Sequence, residues 1–161
     1  MRSIVHAILI CTLGIGGSLK TLGTVLAENA MEPISIVLTG NDQMRYNKQK
    51  LEVPAGATIK LTLKNIGQLP KAAMGHNFVL LPRGTDIVAF CMAGITSPQT
   101  DYIAEDKKDL VLAKTKILGP REKQTIAFTA PEEPGDYPYV CTFPGHVALM
   151  NGIMTVVDST P

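Results

Sequence analysis

A chain of 161 residues with 15 basic and 14 acidic side chains has room for one principal core and almost no net charge. Aromatic residues make up only 5% and tryptophan is absent, which excludes the basic, aromatic-studded surface that nucleic acid requires. At the amino terminus, Arg2 precedes an apolar run from Ile4 to Gly17, and small residues follow as far as Ala27. This is the layout of a secretory leader over residues 1–27. Lys20 breaks the run before the roughly 20 consecutive apolar residues of a membrane span are reached. Cleavage is expected after Val25-Leu26-Ala27, and an uncleaved anchor is the less favoured alternative. Cys11 lacks the preceding small residue of a lipoprotein signal, so lipidation is not expected. Residues 28–161 then form a single domain, periplasmic or otherwise exported. Loss of Arg2 and Lys20, with no acid, leaves 13 basic against 14 acidic residues.

From Pro33 onward short β segments alternate with turn residues, without a long helical period or an internal repeat. Strands are predicted at Ile34–Thr39, Leu51–Val53 and Thr58–Leu63, with Gly40-Asn41-Asp42 and Pro54-Ala55-Gly56 as turns. In Thr58–Leu63 polar and apolar residues alternate strictly, so one face is buried and one is wet. Asn77–Leu81 reads as a further strand. The segment from Pro82 to Asp109 breaks the rhythm and is expected to hold a short helix near Asp86–Ala93. Strands resume at Leu110–Leu112, Gln124–Thr129, Asp136–Cys141 and Gly152–Val157. Pro138 cannot donate to a ladder and is expected to face an unpaired edge or a bulge. Seven to eight strands with a long crossover describe an all-β Greek-key sandwich or barrel with a short helical excursion.

The chemistry concentrates in Cys141-Thr-Phe-Pro-Gly-His146-Val-Ala-Leu-Met150, which places a thiolate, an imidazole and a thioether in one loop; His76 lies far upstream. Soft sulfur donors with imidazoles select copper, and two histidines and a cysteine with a weak methionine suit both of its oxidation states. Structural zinc prefers four strong donors. Taken singly, each residue has a plainer role: methionine fills cores, and a cysteine ending a strand is usually just buried. Export permits disulfides, yet the mature part keeps only Cys91 and Cys141. If Cys141 binds metal, Cys91 is a free, buried thiol.

Met74-Gly75-His76-Asn77 and Cys141-Thr142-Phe143-Pro144-Gly145-His146, followed by Ala148-Leu149-Met150, closely resemble the two copper-site motifs of azurins. Gly40–Met44, Leu69-Pro70-Lys71 and Thr115–Gly119 are similar to azurin segments too, so the resemblance runs from about Ile34 to Val157. It implies a cupredoxin fold and one type 1 (blue) copper, with His76, Cys141 and His146 as equatorial ligands, Met150 as a distant axial ligand and the Gly75 carbonyl as a weak fifth contact. Met154 is the competing thioether and is expected to be core. Asn77 and Thr142 resemble the pair that ties the two ligand segments together. The resemblance also implies an apolar surface around His146, lined by Met44, Leu69, Ala73, Met74, Phe143, Pro144, Ala148 and Leu149, which meets redox proteins such as cytochrome c or copper and haem reductases or oxidases.

The chain departs from typical azurins in several places. Their pH-responsive histidine corresponds to Asn65, their surface histidine to Lys114, and their buried tryptophan to Phe78. The disulfide near their amino terminus is missing, and with it a typical contribution of about 2 to 4 kcal/mol. Of three histidines, His6 falls in the leader and the other two are both assigned to one copper. None is left for the additional centre of a copper oxidase or nitrite reductase. The reading is a one-electron carrier, not an enzyme, with no small-molecule substrate, working as a monomer or weak oligomer. An exported copper chaperone or resistance protein is the alternative, and a cysteine-nucleophile enzyme is weaker still.

Overall fold

In the computed structural model, residues 32–159 are described, and the leader reading for residues 1–27 lies outside them. In chain order the elements are β1 (Ile34–Asn41), β2 (Arg45–Tyr46), β3 (Lys50–Pro54), β4 (Thr58–Asn65), α1 (Lys71–Met74), β5 (Val79–Leu80), α2 (Ile87–Ala93), β6 (Ala113–Lys114), β7 (Lys123–Thr129), β8 (Gly135–Val140) and β9 (Asn151–Val157). One sheet has the order β2-β1-β4-β7 and the other β3-β9-β8-β5-β6. β1 pairs with β4, and β3 with β9, in parallel. Parallel neighbours need crossovers, so the chain passes repeatedly between the sheets. The all-β sandwich is the expected architecture, with nine strands among the described residues where seven to eight were predicted.

The alternation in β4 places Ile59, Leu61 and Leu63 inside, all fully buried, while Lys60 and Lys64 face water. Ile36 and Leu38 of β1 lie beside Leu61 and Leu63 in register. Leu51 and Val53 of β3 meet Met154 and Val156 of β9 from the second sheet. Burying side chains of this size contributes about 1.5 to 3 kcal/mol each. This sandwich is the rigid base on which the loops at one end are mounted.

Three segments differ from their sequence reading. Leu110–Leu112 is not a strand: Leu110 closes a 3₁₀ segment from Glu105, and Leu110 and Leu112 are exposed; the pairing falls instead on Ala113–Lys114. The strand expected over Asn77–Leu81 contracts to Val79–Leu80, because side chains take the backbone groups before it, Tyr46 Oη the Asn77 carbonyl and Thr115 Oγ1 the Phe78 N–H, and beyond it Pro138 has no N–H to offer Leu81. Pro138 lies in an interior strand, not on an edge. Opposite it, Ile153 directs its N–H to Gln49 of the β3 side, so the proline nitrogen faces β5, where the Leu81 N–H still donates to the Pro138 carbonyl at 2.9 Å. Proline has no N–H to return that bond, and the paired residues of β5 end at Leu80.

α2 occupies the predicted excursion. Asp86 caps it, its Oδ1 accepting from the N–H groups of Val88 and Ala89 at 3.0 Å. The helix seats Phe90 and Cys91 against Val79, Leu81, Ile103 and Val140, and Cys91 is a buried free thiol whose pKa burial pushes up to about 12. Replacing Asp86→Ala leaves two helix-end donors without their cap and should lower stability by about 1 kcal/mol. Urea denaturation would show this as a lower midpoint with an unchanged slope.

Candidate metal centre

Cys141 follows directly on β8, and its N–H donates to the carbonyl of Met150 at 3.0 Å, folding residues 141–150 into a closed loop. Within the loop, His146 N–H donates to Phe143 O at 3.0 Å and Met150 N–H to His146 O at 2.8 Å. Gly145 takes φ +82, in the left-handed region that glycine enters without steric cost, and delivers the chain into the 3₁₀ turn His146–Ala148. His76 is presented from across the molecule. Its backbone is locked to Leu118 by reciprocal bonds of 3.1 and 2.7 Å.

These segments bring His76, Cys141 and His146 together, all buried, with ligand atoms within 4.8 Å of one another. Cys141 Sγ is 3.5 Å from His146 Nδ1 and 3.9 Å from the Gly75 carbonyl. His76 Nε2 lies 3.0 Å from the carbonyl of Asn41. A carbonyl can only accept, so Nε2 carries the proton and Nδ1 holds a free lone pair. That Nδ1 is fully buried and has no hydrogen-bond partner. A buried polar atom without a partner is costly, and a metal among the three donors removes the deficit. One thiolate sulfur and two imidazole nitrogens form the soft, mixed set suited to copper.

Met150 is fully buried beside this cluster. A Cβ built on Gly40 would stand 2.6 Å from Met150 Cε and 3.0 Å from His76 Cδ2, so Met150 and His76 share the space that Gly40 leaves. Met154 is also fully buried, but it lies opposite Tyr137 on β9 and packs against the β3 side chains. Four residues of extended strand separate it from Met150, about 13 Å.

The two ligand segments are cross-tied by Asn77 and Thr142. Asn77 Nδ2 donates to Thr142 Oγ1 at 2.8 Å, and Thr142 N–H donates to Asn77 Oδ1 at 2.9 Å. Partners of this kind hold donor geometry. Three further supports carried no recognisable sequence signal. Asn41 fixes His76 through its main-chain oxygen, Tyr46 Oη donates to the Asn77 carbonyl, and the Asp101 carbonyl accepts from Thr142 Oγ1 at 2.5 Å. All three contacts use main-chain acceptors, to which any residue type is equivalent.

Asn65 is buried and binds the carbonyls of Leu118 (3.1 Å) and Met74 (3.4 Å) through Nδ2. Of the residues expected to line a surface around His146, Leu69 and Leu149 are 44% and 38% exposed, Ala73 and Ala148 are exposed, and Met44, Met74 and Pro144 are half-buried. Phe143, expected on this surface, is instead buried, because its ring packs on His146 (centroids 4.7 Å apart) and Tyr102 (5.4 Å).

The family model for copper-binding proteins of the plastocyanin/azurin family matches residues 34–157. The chain belongs to that family. It is 35% identical over 127 residues to an azurin of Bordetella pertussis, covering 77% of this chain and 84% of that one. It is also 40% identical over 120 residues to the outer membrane protein H.8 of Neisseria gonorrhoeae, covering 73% of this chain but only 64% of that protein, less than two thirds of its length. Among solved structures it resembles a reduced auracyanin of Roseiflexus castenholzii, with TM-score 0.67, 36% identity and coverage of 76% and 96%. The cupredoxin fold and the copper-binding character of this family member therefore agree with its donor set.

Without metal, the pocket penalises charge. Burial pushes the Cys141 thiol up to about 12, opposed by the N–H groups of Asn77 and Phe143. Burial lowers His146 to about 4, helped by repulsion from His76, and burial lowers His76 as well. In the unfolded chain both imidazoles return to about 6.5. Between about pH 6.5 and 4 the unfolded state therefore binds more protons, and stability rises with pH across that window. Metal-free protein should show a urea midpoint that is flat above pH 7 and falls steadily as pH drops from 6.5 towards 4, with a shallower fall in His146→Gln. For the cross-tie, Asn77→Ala strands the buried N–H of Thr142 and should cost about 1 to 3 kcal/mol in urea denaturation.

Proposed function

We propose that this protein is an exported one-electron carrier, its copper held by His76 Nδ1, Cys141 Sγ and His146 Nδ1, with Met150 as a weak axial donor and the Gly75 carbonyl as a fifth contact. The observation that carries the proposal is the buried, unpartnered Nδ1 of His76, grouped with the other two donors. Bound there, copper supplies a Cu(II)/Cu(I) couple. The chain's own contribution is constraint. His76 is anchored by Leu118 and Asn41, and Cys141 and His146 by the closed 141–150 loop. Donors held this firmly move little between oxidation states.

Met150 is preferred to Met154 because it shares a contact space with His76, whereas Met154 is built into the β3–β9 core. Electrons enter and leave through His146, beneath the exposed Ala73, Ala148 and Leu149, where an apolar surface suits a transient redox partner such as a cytochrome or a copper or haem enzyme. Among the described residues both histidines belong to the one centre, which favours a carrier over a catalyst. The azurin likeness and the leader-like residues 1–27 favour the periplasm as its compartment.

Visible and EPR spectra of the copper-loaded protein test both levels. Wild type should show an intense visible thiolate-to-copper band; a soluble copper-loaded form without it would overturn the carrier reading in favour of a copper-delivery protein. Met150→Ala should change the copper signal, while Met154→Ala should leave it intact and lower stability by about 2 to 5 kcal/mol. The reverse pattern would transfer the axial role to Met154.

A further inference from the structure

Asn65 marks a second approach to the metal centre. Just outside it, Lys64, Ile66, Arg121, Glu122 and Lys123 surround a surface cavity of about 380 Å³. Lys64 and Lys123 face each other in register across β4 and β7, an arrangement that disfavours pairing. Among the described residues neither lysine nor Arg121 has a carboxylate within ion-pair distance. The only acid on the rim, Glu122, turns its carboxylate back onto the Gly119 N–H at 2.8 Å. Ile66 stands among these groups, 58% exposed. An exposed apolar residue ringed by three unpaired cations is complementary to a surface that presents carboxylates around an apolar spot.

The rim is also wired to the metal donors. Asn65 N–H donates to the Glu122 carbonyl, and Arg121 N–H to the Asn65 carbonyl, both at 2.9 Å. From Asn65, Nδ2 donates to the Leu118 carbonyl at 3.1 Å, and the same carbonyl accepts from the His76 N–H at 3.1 Å. Two hydrogen bonds thus connect the cavity wall to His76, through residues outside the 141–150 loop.

We propose that this basic face docks a redox protein bearing an acidic surface and passes its electron to the copper through Asn65, Leu118 and His76, independently of the apolar surface around His146. The proposal rests on the electron-carrier reading. Hexacyanoferrate(II) serves as the anionic one-electron donor: it becomes hexacyanoferrate(III) as Cu(II) becomes Cu(I), and the visible band bleaches. In stopped flow at low ionic strength, Lys64→Glu/Lys123→Glu should react about fivefold more slowly than wild type. The control Lys48→Glu/Lys50→Glu, with the same change in net charge at the β3 edge, should slow the reaction much less. Equal slowing in both would overturn the proposal, since net charge alone would then explain it.

A second measurement needs no variant. Redox-inert hexacyanocobaltate(III), titrated into reduced wild-type protein, should shift the backbone amides of Ile66, Arg121 and Lys123. Shifts confined to Ala73 and Leu149, or spread over all lysines, would overturn the docking face. Absence of the visible band would instead refute the carrier reading, and the amide shifts would still report where an anion binds.

Discussion

The organisation of this molecule turns on one buried nitrogen. His76 Nδ1 has no hydrogen-bond partner because its ring is fixed from the other side: Nε2 is spent on the Asn41 carbonyl, and the backbone is spent on Leu118. Folding alone cannot relieve that deficit, since the nearest groups are a thiol raised by burial and a second imidazole lowered by it. Each of the three donors is therefore held in the form that binds metal less readily in the thiol's case and more readily in the imidazoles'. A cation in the pocket lowers the thiol pKa and satisfies both lone pairs together. The sandwich beneath supplies the stability that tolerates such a polar hole until it is filled.

Rigidity around the hole comes from cross-links between segments distant in sequence. Asn77 with Thr142 joins the two donor segments, Asp101 adds the 98–103 turn, and Tyr46 brings the end of the β1–β2 hairpin onto Asn77. Asp101 also accepts from the Ile117 N–H and pairs with Lys114. Both Asp101 and its neighbour Tyr102 adopt left-handed backbone, uncommon for residues with a Cβ, and the surrounding bonds hold them there. No covalent tie adds to these among the described residues, where both cysteines are free. Polar ties and core packing carry the load.

Much of this was legible in the sequence, for particular reasons. Thr58–Leu63 announces its buried face because period-two alternation has one physical cause. The Cys141–Met150 loop announces copper because its residue types carry donor chemistry in side chains. What could not be read depended on main-chain atoms or on the far side of a ladder. Arg45–Tyr46 is too short to show a period, and Leu110–Leu112 looks like a strand from its apolar side chains although two of the three are exposed. Pro138 looked like an edge marker, yet it sits inside the sheet, accepting from Leu81 but unable to donate back, where the β5 ladder ends. Phe143 looked like surface, and only the aromatic contacts with His146 and Tyr102 explain its burial.

Asn65 shows how a neutral side chain ties the frame of the site together. A titrating imidazole at that point would couple proton uptake to the segment carrying Met74 and Leu118. An amide has no accessible charged form, but it has two donors and an acceptor, and here it bonds Met74, Leu118 and the Gly67 N–H at once. The mechanical tie is made without a titrating group. Because Leu118 bonds directly to His76, the same amide sets both how firmly that donor is held and how well it communicates with the surface beyond β4. Neutrality at Asn65 leaves the cations at Lys64, Arg121 and Lys123 as the charges that define the approach.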